Sequence, residues 1–137
     1  MELNEYQKRA MSTCMPSCEN MSYMLLNLVG EVGEFASKVA KGIRKGHCSI
    51  GLEPNIADAY DIANETTANE LWQFFGIEER LEELKKEAGD ILWQLAGLCK
   101  VMGWDLEHVA QVNLDKLAAR KKAGTIDGNG DGIIREK

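Results

Sequence analysis

The segment Glu31-Val-Gly-Glu34 places two carboxylates three residues apart, and Glu87-Ala-Gly-Asp90 repeats the arrangement later in the chain. On a helix, an i, i+3 spacing puts both members of a pair on one face, where they repel unless a cation lies between them. Two such pairs in one short chain indicate that four acids are brought together around a positively charged ligand.

Both acidic pairs lie in segments where apolar residues step by three or four, the pattern of an amphipathic helix. The first stripe comprises Met21, Leu25, Leu28, Val32, Phe35, Val39 and Ile43, and the second comprises Leu81, Leu84, Ala88, Ile91, Leu95, Leu98 and Met102. In both segments the acids precede a stripe member by one position. Antiparallel packing through the stripes therefore brings both acidic rows to the same rim, and we expect a cup of four carboxylates there.

The whole chain fits one domain. It has 137 residues, of which 45% are hydrophobic, and this is enough for a single core. We expect one helical domain over 1–137, with an irregular insert at 46–76 and a Gly- and Asp-rich tail at 125–137. The fold class is all-α, a bundle of about four helices, which we predict at 3–11, 19–44, 77–102 and 105–122.

Capping residues mark the ends of these segments. Asn4 and Asp105 are predicted N-caps of the first and last helices, because a short polar side chain accepts a hydrogen bond from the first turn. Gly103 and Gly124 are predicted to end the last two helices, since glycine adopts the left-handed conformation that closes a helix.

The charge balance limits the classes of partner. The chain carries 22 acidic and 16 basic residues, a net charge of −6, which argues against a surface for nucleic acid or acidic membranes. No apolar run approaches the roughly 18 residues of a membrane helix, and the N-terminus lacks the pattern of a leader. We expect a cytoplasmic protein with neither nucleic acid nor membrane as partner.

The acidic residues favour a hard, oxygen-seeking cation. Four carboxylates without a well-placed histidine suit Mg²⁺, with Mn²⁺ as the alternative. A di-iron bundle normally needs Glu-x-x-His, and neither His47 nor His108 follows a glutamate by three residues. Because Mg²⁺ sites are often completed by substrate phosphates, a phosphate ester is the expected ligand.

The last helix offers polar groups that suit such a ligand. Asn113, Lys116 and Arg120 follow an i, i+3, i+7 spacing in line with the apolar Leu106 and Val109. A lysine and an arginine would neutralise a triphosphate, and the asparagine would bond a ribose or a phosphate. The alternative is a solvated helix face with an ordinary basic end.

Motifs in nearly every segment share one family pattern. They are Asn4-Glu-Tyr-Gln7, Gly30-Glu-Val-Gly-Glu34, Glu87-Ala-Gly-Asp90, Asn113-Leu-Asp-Lys116 with Arg120, and Gly128-Asn-Gly-Asp131. Together they resemble the MazG-like all-α nucleoside triphosphate pyrophosphohydrolases, in particular the small phage-type or stand-alone members. The resemblance implies packed helices assembled as a homodimer or homotetramer.

The resemblance also implies a site and a reaction. Mg²⁺ would be held by Glu31, Glu34, Glu87 and Asp90. Water would attack the α-phosphorus of a nucleoside triphosphate and release nucleoside monophosphate and pyrophosphate. Glu34 is the candidate general base. The substrate contacts that the resemblance implies are Asn113, Lys116 and Arg120. Two further candidates are Lys38, in the acidic row of the first motif, and Trp72, in the insert.

Two features depart from the family pattern. The fuller first motif begins with two consecutive glutamates, whereas Gly30 precedes Glu31 in this chain. One potential metal or base carboxylate is therefore missing. The link between the two acidic motifs is also longer than usual, and the insert at 46–76 lies outside the resemblance.

Three questions stay open at the level of sequence. Trp72 and Phe75, in the insert, would either close over a base or pack against a second subunit. The tail from Asp127 to Asp131 resembles the start of an EF-hand calcium loop, but the chain stops before the glutamate at position twelve. Two alternatives to a nucleoside triphosphate pyrophosphohydrolase also stay open. One is a non-catalytic helical-bundle or calcium-binding module, and the other is a phosphoribosyl-ATP pyrophosphohydrolase.

Overall fold

The computed structural model describes residues 1–45 and 78–126. The predicted insert at 46–76, with Trp72 and Phe75, and the calcium-loop-like motif from Asp127 lie outside the described residues. In the described part all regular elements are helical, which confirms the all-α fold class. They are α1 (Leu3–Met11), a 3₁₀ turn (Pro16–Cys18), α2 (Met21–Arg44), α3 (Glu78–Val101) and α4 (Leu106–Ala123).

Local capping sets several of these boundaries. Asn20 Oδ1 accepts a hydrogen bond from Tyr23 N at 2.8 Å and so begins α2. Gly103, after α3, and Gly124, after α4, have φ angles of 73° and 72°. Both therefore take the left-handed conformation predicted for a residue that ends a helix.

The chain divides into two compact units, Met1–Met24 with Leu95–Lys137, and Leu25–Gln94. Both α2 and α3 run from one unit into the other. The expectation of a single domain over 1–137 stays a prediction.

The first unit contains the buried apolar core of the described residues. Its members come from α1, the start of α2, the end of α3 and the start of α4: Ala10, Met11, Met24, Ala96, Cys99 and Leu106. Met24 is fully buried, and a Cβ atom added to Gly97 would lie 2.6 Å from the Met24 Cε atom. The glycine therefore makes the space in which the methionine packs.

The first turn of α4 is capped by α1. Gln7 Oε1 accepts a hydrogen bond from Leu106 N at 3.1 Å, and Asn4 Oδ1 accepts one from Glu107 N at 3.1 Å. The prediction that Asn4 caps its own helix is wrong, because Glu2 occupies the N-cap position of α1. Asp105 is the N-cap residue of α4, but its side chain makes no capping bond. One of the N–H groups it would have served, that of Glu107, is bonded to Asn4 of α1 instead.

In the second unit, α2 and α3 run antiparallel. Glu31 meets Asp90 and Glu87, whereas Lys38, two turns further along α2, meets Glu87 and Glu83. Because residue numbers rise along one helix as they fall along the other, the chain directions are opposed. The matched offset of the two acidic motifs predicted this arrangement.

The apolar stripe of α2 is less buried than the periodicity suggests. Its members Met21, Leu25, Val32 and Ile43 are exposed, and the buried residue of α2 is Met24, which lies outside the stripe. Periodicity identifies the apolar face of a helix but not what covers that face.

The described helices include none that is both long enough and apolar enough to span a membrane.

Candidate metal centre

Three of the four predicted carboxylates converge in the second unit. One carboxylate oxygen each from Glu31, Glu87 and Asp90 can be chosen so that all lie within 4.8 Å of one another. Glu31 comes from α2, and the other two come from successive turns of α3. Glu31 and Glu87 are half-buried and Asp90 is exposed. The cluster is therefore open to solvent on one side.

Glu34, the fourth predicted ligand, lies one turn after Glu31 on α2. Its side chain is exposed and is not part of the group of three. Glu34 is still near enough to raise the pKa of Glu31, although less than Asp90 and Glu87 do. Its roles as metal ligand and general base stay predictions.

The cluster shows the electrostatic signature of crowded acids. Burial raises the pKa of Glu31, and the negative charges of Asp90 and Glu87 raise it further. Each effect disfavours the ionised form of the carboxyl, whereas a divalent cation at the same place would favour it.

Asn27 has the opposite effect on the pKa of Glu31. Its Nδ2 donates a hydrogen bond to Glu31 Oε1 at 3.2 Å, and this bond acts to lower the pKa of Glu31. Asn27 is not among the residues that the sequence motifs predict for the site. The available signal was its i, i+4 relation to Glu31, which puts both side chains on one helix face.

Lys38 supplies a positive charge at the edge of the cluster. Its Nζ lies 2.5 Å from Glu87 Oε1 and 3.3 Å from Glu83 Oε2. The hydrogen bond to Glu87 is the main cause that raises the pKa of Lys38. Glu83 also pairs with Lys86 at 3.3 Å, and hydrogen bonds from Lys86 and Lys38 lower the pKa of Glu83.

The remaining predicted site residues belong to other parts of the chain. Asn113 and Lys116 are exposed on α4, in the first unit. Arg120 is half-buried on the same helix, and its buried Nε atom has no hydrogen-bond partner among the described residues. Their approach to the carboxylates stays a prediction, and Trp72 lies outside the described residues.

The donor set fits a hard divalent cation. The three clustered groups offer only carboxylate oxygens, the ligands that Mg²⁺, Mn²⁺ and Ca²⁺ prefer. Among the described residues, no histidine or cysteine joins this group. Lys38 pairs with Glu87, and within residues 1–45 and 78–126 no ion pair involves Glu31 or Asp90, so these three carboxylates with Lys38 carry more negative than positive charge.

The antiparallel helix pair and its cluster of three carboxylates identify an all-α protein with a candidate site for a divalent metal ion. The chain belongs to the MazG nucleotide pyrophosphohydrolase domain family, whose sequence profile matches residues 19–125. This assignment confirms the resemblance drawn from the motifs. The matched segment includes all four predicted carboxylates and leaves out α1.

A phage protein is similar over almost the whole length. The chain is 31% identical to the Gene 37 protein of Mycobacterium phage L5 over 138 residues, which is 96% of this chain and 98% of the phage protein. That relative is likewise a small protein. No solved structure matches the chain.

Proposed function

We propose that the protein hydrolyses a ribo- or deoxyribonucleoside triphosphate at the α-phosphorus and releases nucleoside monophosphate and pyrophosphate. The observation that carries the proposal is the convergence of Glu31, Glu87 and Asp90 within 4.8 Å. Membership of a nucleotide pyrophosphohydrolase family supports this reaction class. The substrate also implies a cytoplasmic location.

The proposed cofactor is Mg²⁺, with Mn²⁺ as an alternative, held by Glu31, Glu87 and Asp90. A divalent cation there would neutralise phosphate charge and increase the acidity of a bound water. The half-buried Glu31 and Glu87 orient the site, and the exposed Asp90 leaves one side open for phosphate oxygens.

Glu34 is the proposed general base. Its carboxylate lies outside the group of three, so at least one acid near the cluster has no direct part in it. A base must remain free to accept a proton from the attacking water. Glu34 is also exposed, which lets it meet a water from bulk solvent.

The basic and polar groups would bind the rest of the nucleotide. Lys116 and Arg120 are proposed to contact the phosphates, Asn113 the ribose or a phosphate, and Trp72 the base. Lys38 is a further phosphate contact.

The test is a pyrophosphate-release assay with a panel of ribo- and deoxyribonucleoside triphosphates, with Mg²⁺ or Mn²⁺. We expect pyrophosphate, and a loss on the order of a hundredfold in Glu87→Gln and Asp90→Asn. Glu82→Gln is the matched control, because it removes an exposed acid of α3 that pairs with Lys85.

Two outcomes would contradict the proposal. Release of single phosphates would indicate a different reaction, and no activity on any substrate would favour the non-catalytic bundle. Phosphoribosyl-ATP belongs in the panel, because its selective hydrolysis would identify the alternative pyrophosphohydrolase.

A homodimer or homotetramer is also proposed. Leu26 and Val29 of α2 are 73% and 67% exposed, and Leu25 and Val32 nearby are also exposed. A contiguous apolar surface of this kind is typical of a subunit interface. Light scattering should give a mass of two or four chains. Val29→Glu should lower this mass, whereas Lys41→Glu, at an exposed position about 120° around the same helix, should not.

A further inference from the structure

Lys38 pairs with Glu87, a carboxylate that a divalent cation at the proposed site would also bind. Its ammonium lies 2.5 Å from Glu87 Oε1, and the Glu87 side chain is only 13% exposed. Glu87 is at the same time one of the three clustered carboxylates. In the described structure, one of the proposed metal ligands is therefore already neutralised by the protein's own cation.

The ammonium has a second carboxylate within reach outside the cluster. Glu83 Oε2 lies 3.3 Å from Lys38 Nζ, and the Glu83 side chain is 54% exposed. Glu83 Oε1 pairs separately with Lys86. One oxygen of Glu83 thus remains for Lys38, which has three donors and a flexible stem. Lys38 can leave Glu87 without losing every partner.

We propose that Lys38 is an exchangeable counter-ion. In the metal-free protein it neutralises Glu87, and on binding of the divalent cation its ammonium withdraws to Glu83, where its free donors meet a substrate phosphate. This inference rests on the proposed function, because it assumes that the carboxylate cluster takes a cation. It adds an order of events, in which the cation binds before Lys38 becomes available to the nucleotide.

Electrostatics supplies the reason for the exchange. Three carboxylates within 4.8 Å repel, so the metal-free cluster benefits from a nearby positive charge. A divalent cation brings more charge to the same oxygens, and it repels an ammonium that stays beside Glu87. The two cations therefore compete for one carboxylate, and the competition weakens metal binding when no nucleotide is present.

The competing interpretation is a purely structural tether. Lys38 is on α2 and both of its partners are on α3, so its ion pairs also hold the two helices together. A tether helps to assemble the cluster, and its loss would weaken cation binding. An exchangeable counter-ion has the opposite effect, because its removal would strengthen cation binding. Whether removal of the Lys38 ammonium strengthens or weakens cation binding therefore distinguishes the counter-ion from the tether.

The experiment is a calorimetric titration of the full chain with Mn²⁺, without nucleotide. We expect Lys38→Met to bind Mn²⁺ roughly tenfold more tightly than the wild type, the scale expected for removing a unit charge a few ångströms from a divalent ion. Lys38→Arg keeps the charge and should stay within about twofold of the wild type. Equal or weaker binding by Lys38→Met would overturn the inference.

A second pair of variants tests the same exchange without touching Lys38. Glu83→Gln removes the outer partner, so the ammonium is held more firmly on Glu87 and Mn²⁺ should bind more weakly. Glu82→Gln removes the same charge from the neighbouring position, where the partner is Lys85. Equal Mn²⁺ affinities in these two variants would contradict the exchange, whether or not Lys38→Met folds.

Steady-state kinetics with the nucleoside triphosphate provide a third test. At saturating Mn²⁺, Lys38→Met should raise KM for the triphosphate more than it lowers kcat, since a phosphate contact is lost. The two hypotheses fail differently. A wild-type protein that binds no divalent cation refutes the proposed function, whereas a wild type that binds Mn²⁺ with no gain in Lys38→Met refutes only the counter-ion.

Discussion

Asn27 Nδ2 donates a hydrogen bond to Glu31 Oε1 at 3.2 Å, from one turn earlier on the same helix. The bond holds one oxygen of a carboxylate that has two acidic neighbours on the opposite helix. Side chains that orient a metal ligand in this way commonly affect metal affinity as much as activity.

We therefore expect Asn27→Ala to weaken Mn²⁺ binding by roughly tenfold. Calorimetric titration measures the change. The matched control is a double-mutant cycle with Glu31→Gln, in which the Asn27 substitution should have little further effect because the carboxylate is already gone. An equal effect of Asn27→Ala in both backgrounds would show that Asn27 does not act through Glu31.

The raised pKa of Glu31 predicts a pH dependence of stability. The folded, metal-free protein holds this proton more tightly than the unfolded chain does, so the contribution of Glu31 to the free energy of unfolding falls as pH rises from the ordinary glutamate pKa through the raised one. Urea unfolding of wild type and Glu31→Gln across this window should show the wild type losing stability relative to the variant. Parallel curves would contradict the shift.

Saturating Mn²⁺ provides the control for that pH experiment. Bound cation favours the ionised carboxyl, so it should remove the wild type's relative loss of stability at higher pH. Because protons compete with the cation for Glu31, Mn²⁺ affinity should in turn fall as pH is lowered through the raised pKa.

Two glycines of α3 predict opposite effects of the same substitution. A Cβ atom at Gly97 would lie 2.6 Å from Met24 Cε, whereas one at Gly89 meets nothing within 4 Å. Gly97→Ala should destabilise by about 1 kcal/mol, because the cost of repacking the fully buried Met24 outweighs the gain in helix propensity. Gly89→Ala should stabilise by about 0.5 kcal/mol through helix propensity. Chemical denaturation measures both, and two changes of the same sign would contradict the packing argument.

Replacement of the single polar side chain of Gln7 should have a large effect on the free energy of unfolding. Its Nε2 donates to Ala96 O at 3.2 Å and to Trp104 O at 3.0 Å, and its Oε1 accepts from Leu106 N. Gln7→Met keeps the volume but loses all three bonds, and should cost about 3 kcal/mol.

Lys8→Met is the control for Gln7, because it changes an exposed neighbour and should cost less than about 0.5 kcal/mol. Urea unfolding compares the two variants. A similar small cost for both would mean that water replaces the bonds made by Gln7.

Much of the helical layout could be predicted from sequence. The sequence predicts α1 at its observed bounds, Leu3–Met11, and it predicts the left-handed glycines Gly103 and Gly124 that end two helices. These features depend on the backbone preferences of a few neighbouring residues. The bonds made by Gln7 could not be predicted in this way, because their partners are 89 to 99 positions away.

The sequence by itself determined which helix faces carry the acids, because a period of 3.6 residues places Glu31, Glu87 and Asp90 on rows beside the apolar stripes. Tertiary structure decided which side chains meet. It brought those three carboxylates together without Glu34, set Lys38 between Glu83 and Glu87, and used Asn4 to cap α4. Periodicity is a property of one helix, whereas contact depends on the register and separation of two.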